Sequence, residues 1–493
     1  MDISVLHVAQ PTDAGVAVVA AQLAAQQLSR GWSVAVACPP FEAGAAAEPG
    51  RRTWLSRTAA AAGARVLDWE ATRSPGRSTM AEAGRLRELI REVDPDLVHL
   101  HSSKAGLAGR LALRGGLPTI FQPHAWSFEA VTGPTRTAAL YWERWATRWT
   151  DLTVCVSARE QQDGERAGVR GRFAVVPNGV DPEVYTPGAR AAARARLGLP
   201  DDGRPLALVL GRLCPQKGQD QLLDVWPTVL GRVPGARLAL VGDGPDREKL
   251  AAMIQADPVL AGSVLLAGAT EDPLSWYRAA DLLVVPSRWE GMALAPLEAM
   301  SCGCPVVAFE VAGIRECLPP QWADWALAAP GDGAGLAELV ARRLADVAAQ
   351  DSMAQDSVTQ DPAEHGAAEA SQTDGAAARI RIPAQKTAEA DSPSGNPGRR
   401  AAAADDAAAW THAAEQPSGA PAASRTVDGA PVPDKRGTSA IDRLHPVGRP
   451  FAVQARDWVL GHHSFAQTAD SMADCYSAHL GSRGARLHQA SNL

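Results

Sequence analysis

"DLLVVPSRWEGMALAPLEAMSCGCPVV" (residues 281–307) is the stretch whose reading decides the fold. Its opening run reads as a short buried strand ending near Ser287. Pro296 fits the first turn of a helix, where its missing N–H leaves nothing unpaired. Gly303 fits the helix stop, and "CPVVAF" (304–309) reads as the next buried strand. The spacing predicts a helix over about 295–302, with Glu290 in the loop before it and Glu298 in its first turn. The amides of Gly291, Met292, Ala293 and Leu294 then face the strand ends, beside the positive end of the helix. Taken alone, such a pair is more often a solvated Glu290 and a dipole-favourable Glu298.

Working outward, short apolar runs alternate with helical ones. "ISVLHVA" (3–9), "SVAVACP" (33–39), a strand at 97–101, "PTIFQPHA" and "LTVCVS" form one set. "PLALVLG" (205–211), "ARLALVG" (236–242), "SVLLAG" (263–268), 281–287 and 304–309 form another. Buried-type strands alternating with helices imply parallel sheets in βαβ units. "VVPNGVDPEVYTPG" (175–188), with Asn178-Gly179 and flanking prolines, marks a connection between them. The expected organisation is a first α/β lobe over 1–180 and a second over 181–348. A low-complexity insertion over 349–448, rich in Ala, Asp, Ser, Gly, Gln and Pro, is expected to be disordered because it cannot bury enough apolar surface to offset ordering entropy. C-terminal helices follow over 449–493. In sheets of this kind ligands bind at the carboxyl ends of the strands, so two facing lobes would enclose a cleft there.

Other segments carry groups suited to such a cleft. "VLGRLCPQKGQD" (209–220) ends a strand in Gly211 and then presents Arg212 and Lys217. A planar guanidinium fork and a point-charge ammonium suit a diphosphate, although a surface loop with two cations is the commoner case. "VGDGPDR" (241–247) lacks a third glycine, and no GxxxxGK[ST] is present. Gly15, after the first strand, allows backbone to approach a phosphate. "FQPHAWSFE" puts His124 at a strand end, where a lone histidine is usually structural.

Composition sets outer bounds. The chain has 493 residues, 46% of them apolar, and a formal net charge of −7. That charge argues against a nucleic-acid partner. Seven cysteines, at 38, 155, 214, 302, 304, 317 and 475, include no CxxC pair. No disulfide framework or zinc site is expected, and a reducing cytoplasm is the simplest compartment. "MDISVLHVAQPTDAG" has no basic n-region and no long apolar core, so no signal peptide is expected; no run of about 18 apolar residues occurs to span a membrane.

Together these motifs resemble the retaining GT-B glycosyltransferases of family 4, over about 1–345 and again over 450–480. The E-x7-E block Glu290–Glu298, the "GRL…KG" block, "PNGVD" and "GCPVVA" occur in that family's order. The resemblance implies two Rossmann-like lobes facing a cleft, with C-terminal helices crossing back to the first lobe. It implies a nucleoside-diphosphate sugar as donor, with UDP or GDP the expected nucleotide, and a glycan or lipid-linked acceptor. By the resemblance, Arg212 and Lys217 hold the diphosphate, Glu298 the ribose, Glu290 and the amides of 291–294 the sugar, and His124 meets the sugar near the reacting carbon. Gly15 faces the diphosphate. Many members have two glycines in that first loop, where this chain has Ala14-Gly15. Transfer with retention and without a metal or other cofactor is expected, since fixed cations and amides can carry the leaving group's charge.

On the acceptor side, "HLHSSKAGLAGRLAL" (99–113) resembles family members that build on polyprenyl-diphosphate carriers. Lys104 is the candidate for an acceptor phosphate, against a simple N-cap with an exposed lysine. "TRTAALYWERWATRWT" (135–150) places Trp142, Trp145 and Trp149 at helical spacing. A core stripe is the more common outcome, and contact with the inner face of the cell membrane is the alternative. Two other function classes stay open: a catalytically silent sugar-nucleotide-binding or scaffold protein of the same fold, and an epimerase. The latter needs further acid–base groups that the motifs do not supply.

Overall fold

In the computed structural model the described residues are 3–41, 50–359 and 449–490. Thirteen strands are present among them. The first lobe holds β1 (Ser4–Ala9), β2 (Ser33–Cys38), β3 (Arg65–Asp68), β4 (Leu97–His101), β5 (Thr119–Gln122), β6 (Leu152–Cys155) and β7 (Phe173–Val175). They form one sheet in the order β3-β2-β1-β4-β5-β6-β7, every pair parallel. The second lobe holds β8 (Leu206–Leu210), β9 (Arg237–Val241), β10 (Val264–Gly268), β11 (Leu282–Val285), β12 (Val306–Phe309) and β13 (Leu327–Ala328). Their order is β10-β9-β8-β11-β12-β13, again parallel.

The central strands are buried on both faces because helices cover both faces. All five residues of β4 and of β9 are buried. Each fully buried Leu or Val contributes on the order of 1.5–3 kcal/mol, so the central strands carry much of the core. Strand order reverses beside β1 and beside β8, so the loops after β1, β4, β8 and β11 open toward a common crevice.

Four details differ from the sequence reading. The strands β3, β7 and β13 have four, three and two residues, too short for a clear period. The key helix runs Leu294–Ser301, so Glu298 lies in its second turn rather than its first. The helix Gly333–Thr359 continues past residue 349, and the rest of the expected insertion, 360–448, lies outside the described residues. Finally, the tryptophans of 135–150 pack chiefly on one another. Helix Gly133–Ala146 buries only Glu143 and Ala146, while Trp145 is 41% exposed and Tyr141 66%.

Two C-terminal helices, Arg449–His462 and Phe465–Ala490, close the chain. They clasp the segment between the lobes. Val180 donates its N–H to the His463 carbonyl at 2.9 Å, and Phe465 donates to the Val180 carbonyl at 2.9 Å. Arg456 donates to the carbonyls of Tyr185, Ser301 and Pro182. Further on, Tyr476 packs against Trp32 and bonds His99 of β4, which carries the second helix back to the first lobe.

Candidate active site

The loop after β8 is shaped by Gly218. It takes a left-handed φ of 65°, and a Cβ there would lie 2.1 Å from the Pro286 carbonyl oxygen. Only glycine therefore lets this loop pack on the end of β11. The approach places Lys217 Nζ 2.6 Å from Glu290 Oε1, and Ser287 donates its hydroxyl to the same oxygen at 2.7 Å. Lys217, Ser287, Ala293 and Ala295 line a pocket over the ends of β8 and β11. Arg212 follows β8 half-buried, and its carbonyl accepts from Gln219 Nε2 at 3.0 Å.

The loop after β11 bridges the lobes. A Cβ on Gly291 would lie 2.7 Å from the His124 carbonyl oxygen, so only a bare backbone fits between the lobes at this point. Asn178 donates to the Met292 carbonyl at 2.8 Å, and Ser157 donates to the Gly291 carbonyl at 3.3 Å. Met292, Ala293 and Leu294 are buried. A Cβ on Gly15 would rest 3.7 Å from the Leu294 side chain, which brings the first-lobe loop against the start of the key helix. Its neighbour Ala14 has φ 59°, a left-handed conformation that costs an L-residue on the order of 1 kcal/mol. His124 and Ala125 also have positive φ, 58° and 139°; such strain concentrates where a surrounding structure enforces it.

Glu298 is buried and accepts the Tyr277 hydroxyl at 2.6 Å. Burial raises its pKa, opposed by hydrogen bonds from Tyr277 and Tyr185. Enclosure at the cleft pushes His124 down to about 3, so it is neutral near pH 7. Lys217 thus meets Glu290, Gly291 meets His124, and Gly15 meets Leu294 where the loops after β1, β5, β8 and β11 converge; Arg212 follows β8, and Glu298 is turned toward Tyr277.

Lys104 is not with them. It is buried, 2.5 Å from Glu82 Oε2, and it donates to Thr72 Oγ1, the Ser74 carbonyl and Thr79 Oγ1. Its ammonium pins the 72–79 loop, which corrects the reading of an exposed lysine; an acceptor phosphate there would have to share or displace these partners. The same loop brings in a cation that the motifs did not single out. Partial desolvation and then the charge of Arg212 lower Arg73, while Asp13 opposes them, which puts this solvent-exposed side chain within electrostatic reach of Arg212. Ser287, Tyr277, Ser157 and Asn178 were also missed as site groups, because each acts by holding another residue.

Sequence profiles of known families match both lobes. One described as "Glycosyltransferase Family 4" spans residues 14–184, and one described as "Glycosyl transferases group 1" spans 204–346. The chain belongs to the family 4 glycosyltransferases. Among curated relatives of this family 4 chain, a UDP-Gal:alpha-D-GlcNAc-diphosphoundecaprenol alpha-1,3-galactosyltransferase of Escherichia coli is 31% identical over 47% of this chain and 62% of its own. A D-inositol 3-phosphate glycosyltransferase of Thermobispora bispora is 37% identical over 31% of this chain and 41% of its own. The chain thus spans roughly half the length of the curated relatives it matches. Anabaena Alr3699/HepE, solved with UDP and glucose, superposes with a TM-score of 0.55 at 21% identity, over 73% of this chain and 98% of that one. It shares the fold, the two-lobed GT-B architecture.

Among the described residues, one group could hold a metal ion: His7, His99 and His101, whose ligand atoms lie within 4.8 Å of one another. No described helix is long and apolar enough to cross a membrane.

Proposed function

We propose that this chain is a retaining glycosyltransferase that moves a sugar from a nucleoside-diphosphate sugar to a lipid-linked or polysaccharide acceptor. The observation that carries the reading is the Lys217–Glu290 pair at 2.6 Å, set between Arg212 and the amides at the start of the key helix. A diphosphate entering the crevice meets Arg212, Lys217 and free N–H groups. Their fixed positive charge is aimed where charge develops as the sugar–phosphate bond breaks. The Lys217 ammonium then moves its pairing from Glu290 to the phosphate, and Glu290 is released to hold sugar hydroxyls. Glu298, steadied by Tyr277, is placed for the ribose. The nucleotide relatives named above favour UDP as the first donor to try.

The test is incubation of the pure protein with UDP- and GDP-sugars, following donor hydrolysis by proton NMR. Slow hydrolysis that first releases the donor's own anomer supports retention, and release of the opposite anomer refutes it. A silent sugar-nucleotide-binding protein would bind without turnover.

The exposed Tyr141 and Trp145, with the Arg148 guanidinium 4.5 Å over the Trp145 ring, suit a bilayer surface. We place the protein at the inner face of the cell membrane on that basis. Flotation with anionic liposomes should be lost in Tyr141→Ser/Trp145→Ser; unchanged flotation, or none by the parent protein, refutes the placement.

A further inference from the structure

We infer that Gln27, His7 and His101 form a one-way hydrogen-bonded chain that sets the tautomer and orientation of His124, and are positioning residues for the candidate site. The inference rests on the reading that His124 faces the donor sugar.

The register of the first sheet builds the chain. His7 pairs with His99 across β1 and β4, and Ala9 pairs with His101, so the three imidazoles share one face of the sheet. They are fully buried, on strands whose neighbouring residues are apolar. Gln27, on the helix Ala14–Ser29, places Oε1 2.7 Å from His7 Nε2. His7 Nδ1 lies 2.9 Å from His101 Nε2, and His101 Nδ1 lies 3.2 Å from His124 Nε2.

A neutral imidazole has one donor nitrogen and one acceptor nitrogen, and an amide oxygen only accepts. His7 and His101 are fully buried, with an amide oxygen and imidazole nitrogens rather than carboxylates as their bonded partners, surroundings that favour the neutral ring. The direction then propagates. His7 Nε2–H donates to Gln27, His101 Nε2–H donates to His7, and His124 Nε2–H donates to His101. The nitrogen His124 retains for a ligand is Nδ1, a bare acceptor. It suits a sugar hydroxyl and repels a phosphate oxygen.

The start of the chain is itself held. Tyr476, whose hydroxyl lies 2.5 Å from His99 Nδ1, is raised by burial, and the neighbouring Gln27 side chain opposes that rise. An amide whose NH2 side faces the Tyr476 hydroxyl leaves its oxygen for His7, the atom found 2.7 Å from His7 Nε2. The C-terminal helix therefore reaches His124 through four side chains.

The experiment is nitrogen-15 NMR of the full chain labelled at histidine, with His124 assigned from His124→Gln. The expected spectrum shows His124 with a protonated Nε2 and a bare Nδ1. In Gln27→Leu the bare-nitrogen shift at Nδ1 is lost to an average of the two tautomers, in protein that still melts cooperatively. Should Gln27→Leu not fold, Tyr476→Phe carries the same expectation. A wild-type His124 protonated at Nδ1, or one whose tautomer neither variant alters, overturns the inference. So does displacement of the His7, His99 and His101 signals by one equivalent of Zn²⁺, which would make the group a metal site. None of these outcomes depends on turnover, so failure of the chain is distinguishable from failure of the glycosyltransferase reading.

Discussion

Lys217 and Glu290 lie 73 positions apart in sequence, and their side chains meet at 2.6 Å where the loops after β8 and β11 converge. The pair joins two groups with different tasks, a cation for a diphosphate and a carboxylate for a sugar. Ser287 holds the same carboxylate oxygen, so Glu290 is oriented before any ligand arrives.

Glu290→Gln keeps the shape of that side chain and removes its charge. The account expects affinity for the nucleoside diphosphate within about threefold of the parent and donor turnover lower by roughly a hundredfold, the scale of removing one preorganised electrostatic group. Titration calorimetry and donor hydrolysis measure the two separately. Equal losses in both would place Glu290 on the nucleotide instead.

Lys104 and Glu82 form a buried ion pair with side-chain exposures of 3% each. Breaking such a pair from one side typically costs about 3–5 kcal/mol, because it strands a charge. Lys104→Ala should lower the urea unfolding free energy by that much, and Lys104→Met/Glu82→Gln should recover most of it. A small stability loss with weakened acceptor use would return Lys104 to the anion-binding role expected from "HSSKAG".

The buried histidines couple stability to pH. His7 falls from 6.5 to about 4 on folding because burial disfavours its charged form. Between those values the unfolded chain binds a proton that the folded chain does not. The contribution is complete above pH 6.5 and is lost as pH falls toward 4, at ~1.4 kcal/mol per pH unit. Glu129 and Glu160, raised by burial to about 7 and 8, act in the opposite sense, so the parent's net slope mixes several groups. His7→Leu isolates one of them: the acid-side loss of stability should be shallower than the parent's by about that amount. Parallel stability–pH curves would show that folded His7 is already charged.

Much of this molecule was legible in the sequence for a physical reason. Central parallel strands are buried on both faces, so β1, β2, β4, β8, β9 and β11 announce themselves as apolar runs. Gly218 and Gly291 sit where a Cβ would meet backbone at 2.1 and 2.7 Å, and such glycines show in the motif spacing. What escaped was long-range. Tyr277 steadies Glu298 from 21 positions away, and no periodicity reports that. "HLH" in β4 reads as strand alternation, yet its histidines meet His7 only through the sheet register. Lys104 looked like a free cation because its partner, Glu82, lies on another helix. The key helix starts at Leu294, one residue earlier than read, which carries Glu298 from the first turn into the second, an error within the ordinary uncertainty of helix ends.

The central claim is that a nucleoside diphosphate binds between Arg212 and Lys217. Calorimetric titration of UDP and GDP into the parent protein and into Arg212→Ala/Lys217→Ala tests it most directly. The account predicts one-site binding of at least one of the two nucleotides by the parent, weakened by roughly a hundredfold in the double variant, in keeping with the loss of two charge-assisted contacts of about 1.5 kcal/mol each. Binding of neither nucleotide by the parent, or equal binding by the double variant, would contradict it.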